Sequence, residues 1–269
     1  MTTPKIPTFH KGGSRYYIHP DTGEKAPGVT SVLNMLPKGF LKYWAAKEVA
    51  TSAVRSLDGS GPDWLTPMVA ADPEAAIEFL KKAPDRNTRK AADIGSAAHG
   101  FFESMLWGEK LGPLTADLQP FHDQFADLLD KVQPEPVRTE DTVWSTQHSY
   151  AGSFDLIARV QGELCVVDAK TTRSGVHAEV SMQLAAYAHA DYLLDKKSHE
   201  TVTLPKVERG LVFHVRPEGW QVMEVPITDE VFEYFLALRK TFDWEQISRK
   251  IGKNATVKGD VYADEEAGE

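Results

Sequence analysis

The apolar run Leu164-Cys165-Val166-Val167 closes on Asp168-Ala169-Lys170. Such a run reads as a buried strand, and alternate residues of a strand share a face. Asp168 and Lys170 therefore project together, while Val167 and Ala169 face away. A carboxylate and an ammonium at the end of an apolar strand are costly to desolvate unless they pair or meet a metal ion. A strand built only for stability rarely ends this way. The chain must fold so that compensating groups from elsewhere meet the polar end of this strand.

The rest of the chain supplies elements that could do so. Arg15-Tyr16-Tyr17-Ile18 is strand-like, His19-Pro20-Asp21-Thr22-Gly23 has turn chemistry, and Thr30-Ser31 is placed to cap a following helix. Helical patterns cover about 41–56, 73–83, 87–107 and 114–131, with breaks at Gly59-Ser60-Gly61-Pro62 and Ala83-Pro84. Strands are predicted at 137–147, 150–160 and 163–171, the last two a hairpin through Gln161-Gly162. A helix over 176–195, strands at 209–215 and 220–225 turning at Pro217-Glu218-Gly219, and a helix over 228–250 complete the order. It predicts an α/β domain with a mixed central β-sheet flanked by helices over 86–251. An N-terminal hairpin and helical elaboration over 1–85 precedes it, and a loosely ordered acidic tail over 252–269 follows.

At 269 residues and 42% hydrophobic, the chain can bury a substantial core. Its apolar runs fall far short of the roughly 18 residues of a membrane span, so no membrane association is expected. Met1-Thr2-Thr3-Pro4-Lys5 lacks the apolar segment of a signal peptide. Cys165 is the single cysteine, which excludes a four-cysteine iron–sulfur or zinc site and fits a reducing cytoplasm. The net charge of −9 is a poor match to a protein that coats nucleic acid. It still permits an enzyme that grips phosphates in a local basic groove. The densest basic stretch, Lys81-Lys82 through Arg86, Arg89 and Lys90, lies just before the helix bearing His99.

On that helix Ile94, Ala97, Ala98, Phe101 and Met105 form a candidate core stripe. His99 and Glu103, four residues apart, are neighbours on one flank. The small residues 95–98 would let the helix approach the sheet closely. Asp155 is expected on the strand face opposite Phe154, Leu156 and Ala158, beside the strand that carries Asp168 and Lys170. Two carboxylates, an imidazole and a backbone carbonyl make a hard-oxygen, partly imidazole site suited to Mg²⁺ or Mn²⁺. A metal there would polarise a phosphoryl oxygen and lower the pKa of water, with Lys170 orienting that water or neutralising the transition state. Gln183 and Tyr187 share a face of the next helix, placed to brace the site and touch the DNA. Arg173 could hold a flanking phosphate.

These residues carry a resemblance. Gly152-Ser153-Phe154-Asp155, Asp168-Ala169-Lys170-Thr171 and Gln183-Leu184-Ala185-Ala186-Tyr187, in that order, resemble the RecB-like branch of the PD-(D/E)XK nuclease superfamily. Gly95-Ser96-Ala97-Ala98-His99 is similar to that branch's histidine motif. Gly28-Val29-Thr30-Ser31-Val32-Leu33 and Leu41-Lys42-Tyr43-Trp44-Ala45 look like bacteriophage RecB-like exonucleases. The motif match covers residues 95–187, and a looser match most of the chain. Phe154 stands where the superfamily name puts proline.

The resemblance implies a restriction-endonuclease-like core. It makes His99, Asp155, Asp168 and the Ala169 carbonyl metal ligands, and Lys170 the catalytic lysine acting with Asp155 and Asp168. Gln183 and Tyr187 become the downstream catalytic motif, and Glu103, which matches an acidic position on the histidine helix, becomes a further candidate metal ligand. The implied cofactor is Mg²⁺, with Mn²⁺ as a substitute. The iron–sulfur cluster of CRISPR-associated relatives needs four cysteines and is not expected here. The implied activity is exonucleolytic hydrolysis of DNA ends, single-stranded or duplex, in phage recombination or replication within the host cytoplasm. A phage single-strand annealing or recombination protein is the implied partner. No G-x-x-x-x-G-K-[ST] helicase loop is present. Three other readings share these residues: a structure-specific or nonspecific endonuclease, a DNA-binding scaffold with a weak site, and a metal hydrolase acting on a small molecule.

Overall fold

In the computed structural model the described residues are 4–59 and 61–254. Strands β1 (Thr8–Lys11), β2 (Ser14–Ile18) and β3 (Lys25–Pro27) come first. Helices α1 (Val29–Leu33), α2 (Phe40–Leu57), α3 (Leu65–Ala71), α4 (Pro73–Lys81), α5 (Ala83–Leu106) and α6 (Gln119–Val132) follow. Strands β4 (Glu135–Thr139), β5 (Thr142–Ser145), β6 (Tyr150–Ser153), β7 (Leu156–Val160) and β8 (Glu163–Lys170) lead to α7 (Glu179–Ala188). The chain ends with β9 (Tyr192–Leu194), β10 (Thr201–Val202), β11 (Arg209–Arg216), β12 (Gly219–Val225) and α8 (Asp229–Asn254).

The centre is a five-stranded mixed sheet in the order β12-β11-β8-β7-β4. β8 and β11 are parallel, and the other neighbours are antiparallel. Alternation along β8 feeds both faces. Leu164 and Val166 pack with Val32 of α1, Leu184 of α7 and Phe235 of α8. Cys165, Val167 and Ala169 pack with Ala98 and Phe102 of α5 and Phe125 of α6. Helices cover both faces, which is why β8 reads as an unbroken apolar run rather than an alternating one. A second sheet, β10-β9-β5-β6, and the N-terminal sheet β1-β2-β3 meet around Trp144, Ala151, Tyr17 and Ala26.

The α/β class and the mixed central sheet stand. The 161–162 hairpin is also seen, with φ of 54° at Gln161 and 88° at Gly162, as a tight two-residue turn requires. Several boundaries differ. The strand expected over 137–147 divides into β4 and β5, and that over 150–160 into β6 and β7, because this long hairpin bends from one sheet into the other. The helix expected to reach 195 stops at Ala188, since Leu193 and Leu194 are fully buried and pair with β5 as β9.

The break expected at Ala83-Pro84 falls at Lys82, between α4 and α5, and Pro84 lies in the first turn of α5, where a proline costs little because the first-turn N–H groups lack partners. α5 therefore runs unbroken across the boundary expected at 85/86. α6 begins at Gln119, not near 114, again with proline in its first turn. On α5, Ala97 is exposed and Phe102 takes its place in the core. α8 carries through to Asn254, past the tail boundary expected at 252, and the acidic residues 255–269 lie outside the described residues. Among the described residues no helix is long and apolar enough to cross a membrane.

Candidate active site

The bend in the long hairpin creates the site. Thr139 lies opposite Leu156 in one sheet and Thr142 opposite Ser153 in the other. The residues between them, Glu140-Asp141 and Phe154-Asp155, therefore face each other across the bend. Backbone bonds confirm it: Glu140 N–H donates to the Asp155 carbonyl and Phe154 N–H to the Asp141 carbonyl, both at 3.3 Å. Asp155 is thus in the bend, not within a strand as expected. Phe154 packs on one face of the sheet and Leu156 and Ala158 on the other. Glu140 has φ of 60°, a left-handed conformation uncommon for a residue with a side chain.

Three side chains converge there. His99 of α5, Glu140 and Asp155 each offer a ligand atom, and these atoms lie within 4.8 Å of one another. Two carboxylates and an imidazole that close would be able to hold one divalent cation, as donors of the kind Mg²⁺ and Mn²⁺ take. His99 Nδ1 is buried without a hydrogen-bond partner, 3.5 Å from Asp155 Oδ1. Asp155 Oδ2 accepts from the Ala169 N–H at 2.8 Å, which ties the bend to the end of β8. A buried imidazole nitrogen without a hydrogen bond, close to two carboxylates, fits a divalent cation.

The electrostatics agree. Burial, then the charges of Asp155 and Glu103, pushes the Glu140 carboxyl up to about 8. Burial opposes protonation of His99, but the Asp155 carboxylate, with help from Asp168, outweighs it and raises the imidazole above its ordinary value. A carboxyl that burial, and then its carboxylate neighbours, drive to hold a proton marks a place where positive charge would be stabilising.

Asp168 and Lys170 do project together, as alternation along β8 requires. Lys170 Nζ lies 2.8 Å from Asp168 Oδ1 and 2.7 Å from Oδ2. Gln183 Nε2 donates to Asp168 Oδ1 at 3.0 Å and to the Tyr187 hydroxyl at 3.2 Å. Burial raises the Asp168 carboxyl against the pull of Lys170. Burial also works against the Lys170 charge, yet Asp168 and Asp155 outweigh it and hold the ammonium protonated. Asp168 Oδ1 accepts from Lys170 and Gln183, while Oδ2 is buried without a hydrogen bond, and the charge of the carboxylate acts on His99. Gln183 and Tyr187 brace the strand end from α7. Both are buried, so they hold the site from behind and offer no surface to DNA. Gly152 makes room for Tyr187: a Cβ there would stand 2.7 Å from the ring and 3.0 Å from Val29.

Glu103 is not brought to this cluster. One turn beyond His99 on α5, it accepts from the Thr139 hydroxyl at 3.0 Å and pairs with the Lys196 ammonium. Arg86 is occupied as well, donating to the Phe79 carbonyl at 2.7 Å and lying over the Phe79 ring. Lys90 precedes His99 by nine residues, about two and a half helical turns, and so leaves the opposite side of α5. Arg89 is exposed about 15 Å along the helix from His99. Arg173 is exposed in the loop that follows Lys170.

Two residues of the site were not singled out in the sequence. Glu140 had a signal, since Thr139-Glu140-Asp141 places three polar residues inside a presumed strand. His214 of β11 had none. It lies opposite Lys170, donates from Nε2 to the Thr172 carbonyl at 2.8 Å, and accepts from Gln221 at Nδ1. It thereby anchors the chain just after Lys170.

No family model matches the chain, and no curated protein matches it. A solved structure described as the crystal structure of SSO0001 is similar at a TM-score of 0.32 and 15% identity, over 75% of this chain and 84% of that one. A likeness that slight carries no argument about this chain.

Proposed function

We propose that this protein is a metal-dependent deoxyribonuclease of the PD-(D/E)XK superfamily, RecB-like branch, acting on DNA ends as an exonuclease. One observation carries the reading. A His–Glu–Asp cluster whose imidazole Nδ1 is buried without a hydrogen bond stands beside an Asp–Lys pair at the carboxyl end of the central strand. That combination suits phosphodiester hydrolysis better than a small-molecule pocket or a decayed scaffold, because none of its charged parts is missing.

His99, Asp155 and Glu140 would hold Mg²⁺ or Mn²⁺, with Asp168 and the Ala169 carbonyl as the resemblance implies. The ion would supply Lewis acidity toward a phosphoryl oxygen and a lowered pKa for water. The chain's own residues do the rest. Lys170 stays charged and presents its ammonium to the phosphate, offsetting the negative charge that builds as the P–O bond breaks. Asp168 fixes the lysine, Gln183 fixes Asp168, and Tyr187 fixes Gln183. Ala169 N–H orients Asp155 so that its other oxygen faces His99. The host cytoplasm, a role in phage recombination and an annealing-protein partner belong to the same proposal and rest on the motif resemblance.

The test is digestion of end-labelled linear single-stranded and duplex DNA and of closed circles, with Mg²⁺ or with EDTA. Loss of linear DNA alone, only with metal, is expected. Cutting of closed circles would make the enzyme an endonuclease. No cleavage with Mg²⁺ or Mn²⁺ would remove the reading.

A further inference from the structure

The first turn of α2 carries two aromatic rings in the open. Phe40 is 56% and Tyr43 71% exposed, and Leu41 and Lys42 between them also face solvent. Phe40 and Tyr43 are three residues apart and so share a flank. The Phe40 ring stacks on His177, with centroids 6.1 Å apart and planes 12° from parallel. Lys42 Nζ lies 4.8 Å from the centre of the Tyr43 ring.

This flank is continuous with the end of β8. His177 belongs to the loop of residues 171–178 that leads from Lys170 to α7, and exposed Arg173 rides on the same loop. Lys38, just before α2, lies 3.6 Å from Glu179 of α7, and Glu179 in turn adds to the field at Lys170.

We propose that the Phe40–Tyr43 flank, with His177, Lys42 and Arg173, is a platform on which successive bases of a single DNA strand stack on their way to Lys170. The proposal rests on the nuclease reading and adds the form of the substrate. Ring faces serve only bases that are free of a duplex stack, and stacking tolerates any sequence because every base has a flat face. A duplex grip relies instead on many phosphate contacts, whereas this flank offers Lys42 and Arg173 in a chain of net charge −9. The two cations suit a phosphate backbone better than a second copy of the chain, since the centres of protein interfaces are depleted in lysine.

The experiment is fluorescence anisotropy with a labelled single strand of roughly 20 nucleotides, long enough for several stacked bases, in EDTA so that nothing is cut. Tyr43→Ala and Phe40→Ala should each weaken binding about ten-fold, and Tyr43→Trp should retain it. Lys42→Ala should flatten the salt dependence by about one phosphate contact. A blunt duplex of the same sequence should bind more weakly and ignore Tyr43→Ala. These positions are exposed, so the melting temperature should not move.

Failure of the wild type to bind the strand, or equal binding by wild type and both alanine variants, would overturn the platform. So would a duplex that loses as much as the single strand, or a wild-type dimer that Tyr43→Ala dissociates. Restoring Mg²⁺ or Mn²⁺ separates the two claims. Cleavage with Tyr43-independent binding removes the platform alone. Tyr43-dependent binding without cleavage removes the nuclease reading and leaves the strand-binding surface.

Discussion

His99 and Glu103 stand one turn apart on the same flank of α5, yet they enter opposite kinds of surroundings. Glu103 is saturated. Thr139 donates to it, Lys196 pairs with it, and Trp107 Nε1 in turn donates to the Thr139 hydroxyl at 3.0 Å. His99 is the reverse case, with a buried ring nitrogen left without a hydrogen bond between two carboxylates. Folding alone selects networks like the first, because an unsatisfied buried polar group costs stability. The second is the network that the proposed ion would complete. The two are also linked, because the Glu103 network holds Thr139, the residue next to Glu140. The finished network is the frame that presents the unfinished one.

The contrast can be broken most severely at the reacting end. Lys170→Ala should lower cleavage at least about 100-fold, and Asp168→Asn should do the same by releasing the lysine. Glu103→Gln should leave cleavage within a few-fold of wild type. Equal losses in all three, measured as initial rates on linear DNA, would erase the distinction between site and frame.

The pH dependence of the metal-free protein sharpens the comparison next. Glu140 is raised in the folded protein from an ordinary value of 4.5 to about 8. The folded state therefore holds a proton that the unfolded chain releases between those values. This contribution to stability is full below pH 4.5 and is lost as pH rises through about 8. His99 and Asp168, also raised, act with the same sign. Thermal melts in EDTA should fall across that window, and Glu140→Gln should flatten the fall and raise the melting temperature at its alkaline end. A profile unchanged by Glu140→Gln would return this residue to the frame.

Smaller effects test the frame itself. Gly152→Ala should cost about 1–3 kcal/mol by driving a methyl group into Tyr187 and Val29. Glu103→Gln should cost about as much by leaving Lys196 less well paired. Trp107→Phe removes one hydrogen bond to Thr139 and should cost about 1 kcal/mol. Denaturant unfolding of each variant measures all three.

Much of this was legible in the chain because it depends on local periodicity. The apolar run ending in Asp168 and Lys170, the Gln161-Gly162 turn and the His99 helix all follow from alternation, turn chemistry or a 3.6-residue repeat. Glu140 was hidden for a different reason. Its partnership with Asp155 arises where one hairpin leaves a sheet and joins another, and no local pattern marks such a bend beyond three adjacent polar residues. Glu103 illustrates the converse. Helical spacing correctly set it beside His99, but its partners Thr139 and Lys196 come from distant segments, and they claimed it for the frame. The short β9 was lost likewise, because pairing with β5 overrode the helical look of residues 189–195.

Calorimetric titration of the protein with Mn²⁺ is the most direct check on the contrast between the two neighbours on α5. Wild type and Glu103→Gln should bind the ion alike, while Asp155→Asn should lose at least about ten-fold in affinity, as expected when a ligating carboxylate is neutralised. Undiminished binding by Asp155→Asn, or loss of binding in Glu103→Gln alone, would contradict the account.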